Sequence, residues 1–189
     1  MARKGLPVST TEQKGHFVLK LDRRSQKTRE ALRDAFIKLV LSRGYEAVTI
    51  GEICDQANVG RSTFYAHYKN KKGLLEESLQ HPSTALAACV AADTRPQDLL
   101  PLLAHFSQQK ARNRVFFETP IRALWVKTLA RVIETRLTRG ARSRLTALLV
   151  AELQIAVITH WLSGTLPLQP ETVARMLITN TRALLLANQ

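Results

Sequence analysis

The chain has 189 residues, 45% of them hydrophobic, with 28 Lys and Arg against 15 Asp and Glu, a formal net charge of +13. That length suits one small domain and one larger one, and so basic a balance favours an anionic partner such as nucleic acid. No run reaches the roughly 18 uncharged apolar residues of a membrane span, and no apolar signal core stands near the start, so a cytoplasmic protein without a membrane partner is expected.

Residues 1–23 read as a basic N-terminal arm, expected to be mobile when free. With the next few residues it carries Arg3, Lys4, Lys14, Lys20, Arg23, Arg24 and Lys27 against Glu12 and Asp22, with little apolar periodicity. Such an arm either lies along phosphates or a minor groove, or serves only as a solubilising tail. A first helix is predicted from about Thr28 to Ser42. Leu32, Ala35, Phe36, Leu39 and Val40 recur there at helical spacing, and Gly44 follows as a stop.

At Thr49-x-x-Glu52 the spacing fits a capping box, in which the Thr hydroxyl takes the Glu52 amide and the carboxylate reaches back. A helix therefore starts at Ile50, with Val48 and Ile53 placed to close as a hydrophobic staple. Asn58 tolerates the left-handed backbone that ends it near Ala57. Gly60 opens the next helix without a side-chain cap, and Val59 and Phe64 repeat the staple spacing. Two short helices joined by a tight turn make a helix-turn-helix.

On the second of these helices, 100° per residue puts Phe64 and Tyr68 on one face and Ser62 and Ala66 on the other. Packing and reading are thereby separated. Arg61 at the tip can offer paired donors to a guanine edge, and Ala66 can meet a thymine methyl. Thr63, Tyr65 and His67 flank them, suited to phosphate oxygens, although a Tyr or His beside an apolar stripe is also an ordinary half-buried residue. Lys71 and Lys72 follow the cap Asn70 and put positive charge where the helix dipole disfavours it. A phosphate docked on that helix start would satisfy amides and lysines together, the alternative being two solvated lysines.

Downstream the chain is punctuated by prolines and glycines, with hardly any strand pattern. Helices are expected near 71–80, 84–92, 97–110, 120–138, 141–163 and 170–187, with a short piece at 113–118. Thr119-Pro120 and Arg139-Gly140 serve as start and stop signals. Ten basic residues between Lys110 and Arg144 stand against Glu118 and Glu134, a net of +8. They line an anionic pocket, extend a DNA-attracting field, or form a solvated helix face. His105, Arg122, Trp125 and His160 are the candidates for an effector cavity between helices, with burial in the core as the plain reading of the His and Trp residues.

No phosphate-binding glycine loop, Gly-x-Ser-x-Gly elbow or His-Glu-x-x-His occurs, and the five histidines are scattered. Cys54 and Cys89 are too few for a disulfide framework and have no partner at ligand spacing. They read as small buried hydrophobes, and no enzyme, metal or cofactor is expected.

At the helix-turn-helix the chain resembles the tetracycline-repressor (TetR) family of bacterial transcriptional regulators. The likeness runs from Arg24 to about Leu79 and is carried by TREALRDAFIKLVLSRGYEAVTI and ANVGRSTFYAHYKNKKGLL. It departs at Asn58, where the family usually has Gly, and at Gly60, where it usually has Ser. A second likeness lies in HWLSGTLPLQPETVARML, where Gly164 can end one long helix and Pro170 start the last. The resemblance implies an all-α fold, with a three-helix DNA-binding domain at 24–80 and a helical effector and dimerisation domain at 81–189. It implies further that Thr49, Arg61, Ser62, Thr63, Tyr65, His67 and Lys71 sit where the family touches DNA, and that the last two helices build a homodimer.

Three functions follow as expectations. One is a homodimeric repressor on a roughly palindromic operator, released by a small-molecule effector. Another is an accessory nucleic-acid binder that uses charge without sequence choice. The third is a helical ligand-binding module that has lost its DNA role.

Overall fold

The structure, a computed structural model, describes residues 10–108, 121–137 and 141–188. Among them are eight α-helices and no strand. The first nine residues of the basic arm, the piece at 113–118 and the signals at Thr119-Pro120 and Arg139-Gly140 lie outside the described residues.

Helix α1 (Thr10–Arg43) starts well before the expected Thr28. From Thr10 to Lys27 there is no proline and one glycine, and the rest favours helix, so nothing local stops it. Lengthwise it spans about 50 Å. Its downstream half buries Leu32, Phe36 and Val40 completely, partly against α2 (Ile50–Ala57). Gly44 ends it at φ 81°, donating to the Val40 carbonyl at 2.9 Å. Then come α3 (Arg61–His67) and α4 (Lys71–Ala87), the latter continued by a 3₁₀ turn at Ala88–Val90.

The expected break at Pro82 does not occur, and the expected domain boundary at residue 80 falls inside α4. An interior proline costs a helix about 3 kcal/mol. Beyond it, however, Ser83, Leu86 and Ala87 are fully buried in line with Leu75 and Leu79. Burying a leucine is worth about 1.5–3 kcal/mol, so breaking the stripe would lose as much as the proline costs.

The rest is a layered bundle of α5 (Pro96–Gln108), α6 (Ile121–Glu134), α7 (Ala141–Leu162) and α8 (Pro170–Ala187). Helix α6 lies between α4 and α7, and α8 packs on α5 and α7. The α7–α8 turn forms as its residues require. Gly164 takes φ 87°, Pro170 opens α8, and Trp161 Nε1 donates to the Leu168 carbonyl at 2.8 Å. Buried Gln154 on α7 donates from Nε2 to Leu86 O at 3.3 Å and Thr181 Oγ1 at 2.9 Å, joining α4, α7 and α8. Arg182 Nη2 clips the Ala92 and Thr94 carbonyls at 2.8 and 2.9 Å.

One helix meets the length and mean hydropathy of a membrane span, although Arg142, Arg144 and Glu152 interrupt it, so no uncharged run of that length exists there. The 21 residues Arg142–Leu162 have a mean hydropathy of 1.6, and half of that stretch is buried in the bundle, which accounts for its apolar character.

Candidate nucleic-acid interface

Two hydrogen bonds make the expected capping box and fix α2. Glu52 N donates to Thr49 Oγ1 at 3.3 Å, and Thr49 N donates to Glu52 Oε2 at 2.9 Å. Arg43 Nη1 meets the other carboxylate oxygen at 2.9 Å, so Glu52 ties the end of α1 to the start of α2. The Thr49 amide, the Thr49 hydroxyl and Arg43 together hold the Glu52 carboxyl below its ordinary value. Asn58 then takes φ 53° and ψ 48° in the left-handed region, turning the chain into α3. Gly60 caps α3 with no side-chain bond.

Helix α3 separates its faces as its sequence predicts. Phe64 is fully buried and Tyr68 nearly so, their rings 5.7 Å apart. Arg61, Ser62, Tyr65 and Ala66 are exposed, Tyr65 at 57% although its ring meets Phe64 edge-on at 5.5 Å. Thr63 and His67 are half-buried on the flanks. Lys69, which the sequence reading passed over, is exposed in the following turn, as is Lys72 at the start of α4. A large exposed aromatic beside a hydroxyl, an arginine and two lysines is a surface suited to phosphates and base edges.

Two of the predicted contact residues also hold this frame. The Thr49 hydroxyl is engaged with Glu52 in both directions, by the amide and by Oε2 at 2.9 Å. Lys71 has partners within the fold that its sequence neighbours do not show. Its ammonium donates to Tyr45 O at 2.7 Å and Val48 O at 2.8 Å, with Glu46 O at 3.5 Å, and lies 4.3 Å from the centre of the Tyr45 ring. The carbonyls that α1 and its loop leave open attract the cation more strongly than the α4 dipole repels it. The Asn70 cap is as expected, accepting from Gly73 N at 3.0 Å.

Another relationship was hidden from the sequence: the Arg61 guanidinium lies over the first turn of α2, against Gly51. A glycine inside a helix was the available signal.

The effector candidates are not brought together. His105 and Trp125 line a cavity of about 360 Å³ between α1, α4, α5 and α6. Its walls are mainly apolar, with Ile37, Leu79, Leu102 and Phe106 beside Arg33 and His81. The Phe106 ring stands edge-on to Trp125 at 5.8 Å. Arg122 is elsewhere, paired with Glu152 of α7 at 2.6 Å, and exposed His160 at the end of α7 is not among the cavity residues. Within the described part of the basic stretch, Arg144 pairs with Glu134 at 3.2 Å and Arg136 donates to Thr84 O at 3.2 Å. Much of that charge is therefore spent on interhelical ties. Both cysteines are buried, and burial raises both thiols, that of Cys89 to about 12.

Fold and surface together define, among the described residues, an all-α helix-turn-helix protein with a mainly apolar cavity between α1, α4, α5 and α6. The model of the bacterial regulatory proteins of the tetR family matches residues 32–78. Two uncharacterized HTH-type transcriptional regulators of Bacillus subtilis (strain 168) are similar over part of the chain. YxbF is 43% identical over 61 residues, 32% of this chain and 16% of that one, and YvkB is 42% identical over 57 residues, 30% of each. The chain thus spans less than a third of the length of these curated relatives. Solved structures extend the likeness to the rest of the fold. A TetR transcriptional regulator from Streptococcus agalactiae 2603V has a TM-score of 0.57 at 24% identity, covering 87% of this chain and 98% of that one. A TetR-family regulator from Streptomyces coelicolor A3 has a TM-score of 0.61 at 21% identity, covering 84% and 94%. The likeness to the tetR family of bacterial regulatory proteins thus rests on residues 32–78, and the rest of the chain shares the fold of the solved regulators.

Proposed function

We propose that this chain is a homodimeric, sequence-specific DNA-binding regulator of the bacterial cytoplasm, a repressor released by a small-molecule effector. The outer face of α3 carries the reading: Ser62, Tyr65 and Ala66 face solvent while Phe64 and Tyr68 anchor the helix from behind. Arg61 would discriminate a base edge. Thr63, Tyr65, His67 and Lys72 would orient the helix on phosphates, with Thr49 and Lys71 setting its frame.

Dimerisation is supported by an apolar face that one chain leaves uncovered. Leu145, Leu148 and Leu149 on α7 are exposed at 56%, 44% and 39%, and Leu186 on α8 at 70%. Large apolar surface of this kind marks a contact. Paired through α7 and α8, two α3 helices would enter successive major grooves about 34–36 Å apart on a near-palindromic site.

The cavity supplies the response. Its walls come from α1, which carries the helix-turn-helix, and from α4, α5 and α6. A ligand that fits it better when the reading heads are wrongly spaced shifts the population off DNA by that difference in affinity alone. Selection of bound duplexes from random DNA at stated salt, with and without a metabolite library, tests all three parts. A half-site repeat and ligand-dependent release are expected; enrichment of no sequence would leave a charge-only binder.

A further inference from the structure

Position 51 sits in the first turn of α2, where a glycine weakens a helix relative to alanine. Its φ lies outside the left-handed region, so the backbone does not demand glycine. Space does. A Cβ built there would stand 2.8 Å from Arg61 Nη2, 3.7 Å from Cζ and 3.8 Å from Nε. The clash falls on the far end of one mobile side chain, so a methyl group would evict the guanidinium without disturbing the backbone. The same placement brings the Arg61 charge to bear on Cys54 one turn on. Burial raises that thiol, and the Arg61 charge acts against the rise.

The placement bears on recognition. Arg61 belongs to α3, yet its charged end rests on α2, so the cation is presented at the crease between the two helices rather than free at the α3 tip. The open space at Gly51 lets the fork lie there, and a side chain at that position would deny it that place when it meets a base edge or phosphate. Keeping a cation at the positive end of α2 is unfavourable by itself, and an anion or an electron-rich edge brought to the crease relieves it.

We propose that Gly51 is a specificity-determining position that acts through Arg61: its missing side chain is the seat from which the guanidinium reads DNA. Gly51 is a positioning residue and does not itself touch the duplex. The inference rests on the DNA-reading role of α3 proposed above.

The test is a double-mutant cycle on the full chain, using the duplex selected by the unaltered protein and its single-base variants. Gly51→Ala should raise Tm by about 1–4 °C, because alanine suits a helix better. It should also weaken discrimination at one base pair by about five- to tenfold. With Arg61→Ala already in place, Gly51→Ala should still raise Tm but change discrimination no further. Two results overturn the seat while leaving the reading helix intact: Arg61→Ala relaxes selectivity and Gly51→Ala does not, or Gly51→Ala acts equally with and without Arg61. If Arg61→Ala leaves selectivity untouched, the seat fails while Ser62, Tyr65 and Ala66 can still read; if the unaltered chain selects no sequence, the DNA-reading role itself fails and the seat with it.

Discussion

The Lys71 ammonium rests 4.3 Å from the centre of the Tyr45 ring while donating to the carbonyls of Tyr45 and Val48. It fastens the start of α4 to the α1–α2 loop, whereas its neighbour Lys72 is exposed. The two lysines therefore separate in experiment. Lys71→Met should cost about 1–2 kcal/mol of stability, from a partly desolvated cation–π contact and charge-assisted hydrogen bonds. It should leave the salt dependence of DNA binding unchanged. Lys72→Met should change stability by no more than about 0.5 kcal/mol and lower the salt slope by about one unit per protomer. Denaturant melts with binding titrations at several salt concentrations read both.

The Glu52 carboxyl is held below its ordinary 4.5 by the Thr49 amide, the Thr49 hydroxyl and Arg43. A carboxylate whose folded value is depressed stabilises the fold above the unfolded value, and that contribution is lost as pH falls through the folded one. The α1–α2 junction should thus weaken only below about pH 4.5. Glu52→Gln should remove this part of the acid-side decline in Tm. Equal acid slopes in the two proteins would show that the carboxylate bonds are not formed in solution.

Thr49→Ala removes the other half of the same box. It should destabilise the chain by about 1 kcal/mol, measured by denaturant unfolding. DNA affinity should fall only as far as α2 frays, since the Thr49 hydroxyl is already committed to Glu52.

Leu102 faces the cavity from α5, half-buried and beside Trp125 and Phe106. Leu102→Trp should fill the space and keep affinity for the selected duplex while abolishing ligand-dependent release. Thermal shift provides the second readout. A ligand at 100 times its Kd raises the stability of the unaltered chain by about 2.7 kcal/mol and should do nothing for the filled one. A full shift in the variant would place the ligand elsewhere.

Leu149 and Leu186 test the pairing face. Both are exposed in the single chain, so Leu149→Glu with Leu186→Glu should cost the isolated fold little, within about 0.5 kcal/mol each. Sedimentation should show a monomer, and affinity for a two-half-site duplex should collapse toward that for one half-site. An unchanged dimer mass would rule out this face.

What could be read from the sequence was mostly what is local. Thr49 and Glu52, Asn58, Gly44, Gly164 and Pro170 each act within a few residues, and each does in the structure what its chemistry predicts. The inward and outward faces of α3 followed from the same short-range periodicity. Where distant partners decide, the reading failed. Pro82 reads as a break because its cost is local, while the burial of Leu86 that outweighs it is tertiary. The internal partners of Lys71 are not legible locally, because the Tyr45 and Val48 carbonyls lie more than twenty residues away. His105 found Trp125 in a shared cavity, but Arg122 found Glu152 across α7. The length of α1 was missed for a different reason, since helix-compatible residues carry no signal that says whether they are used.

Gln154 reaches Leu86 and Thr181 with a single amide nitrogen, deep in the bundle. Leu86 ends the limb that Lys71 begins beside the reading head, and Thr181 lies on the helix whose tip carries Leu186. In the proposed dimer, one buried amide would therefore touch both the helix that leads away from α3 and the helix that carries part of the pairing face.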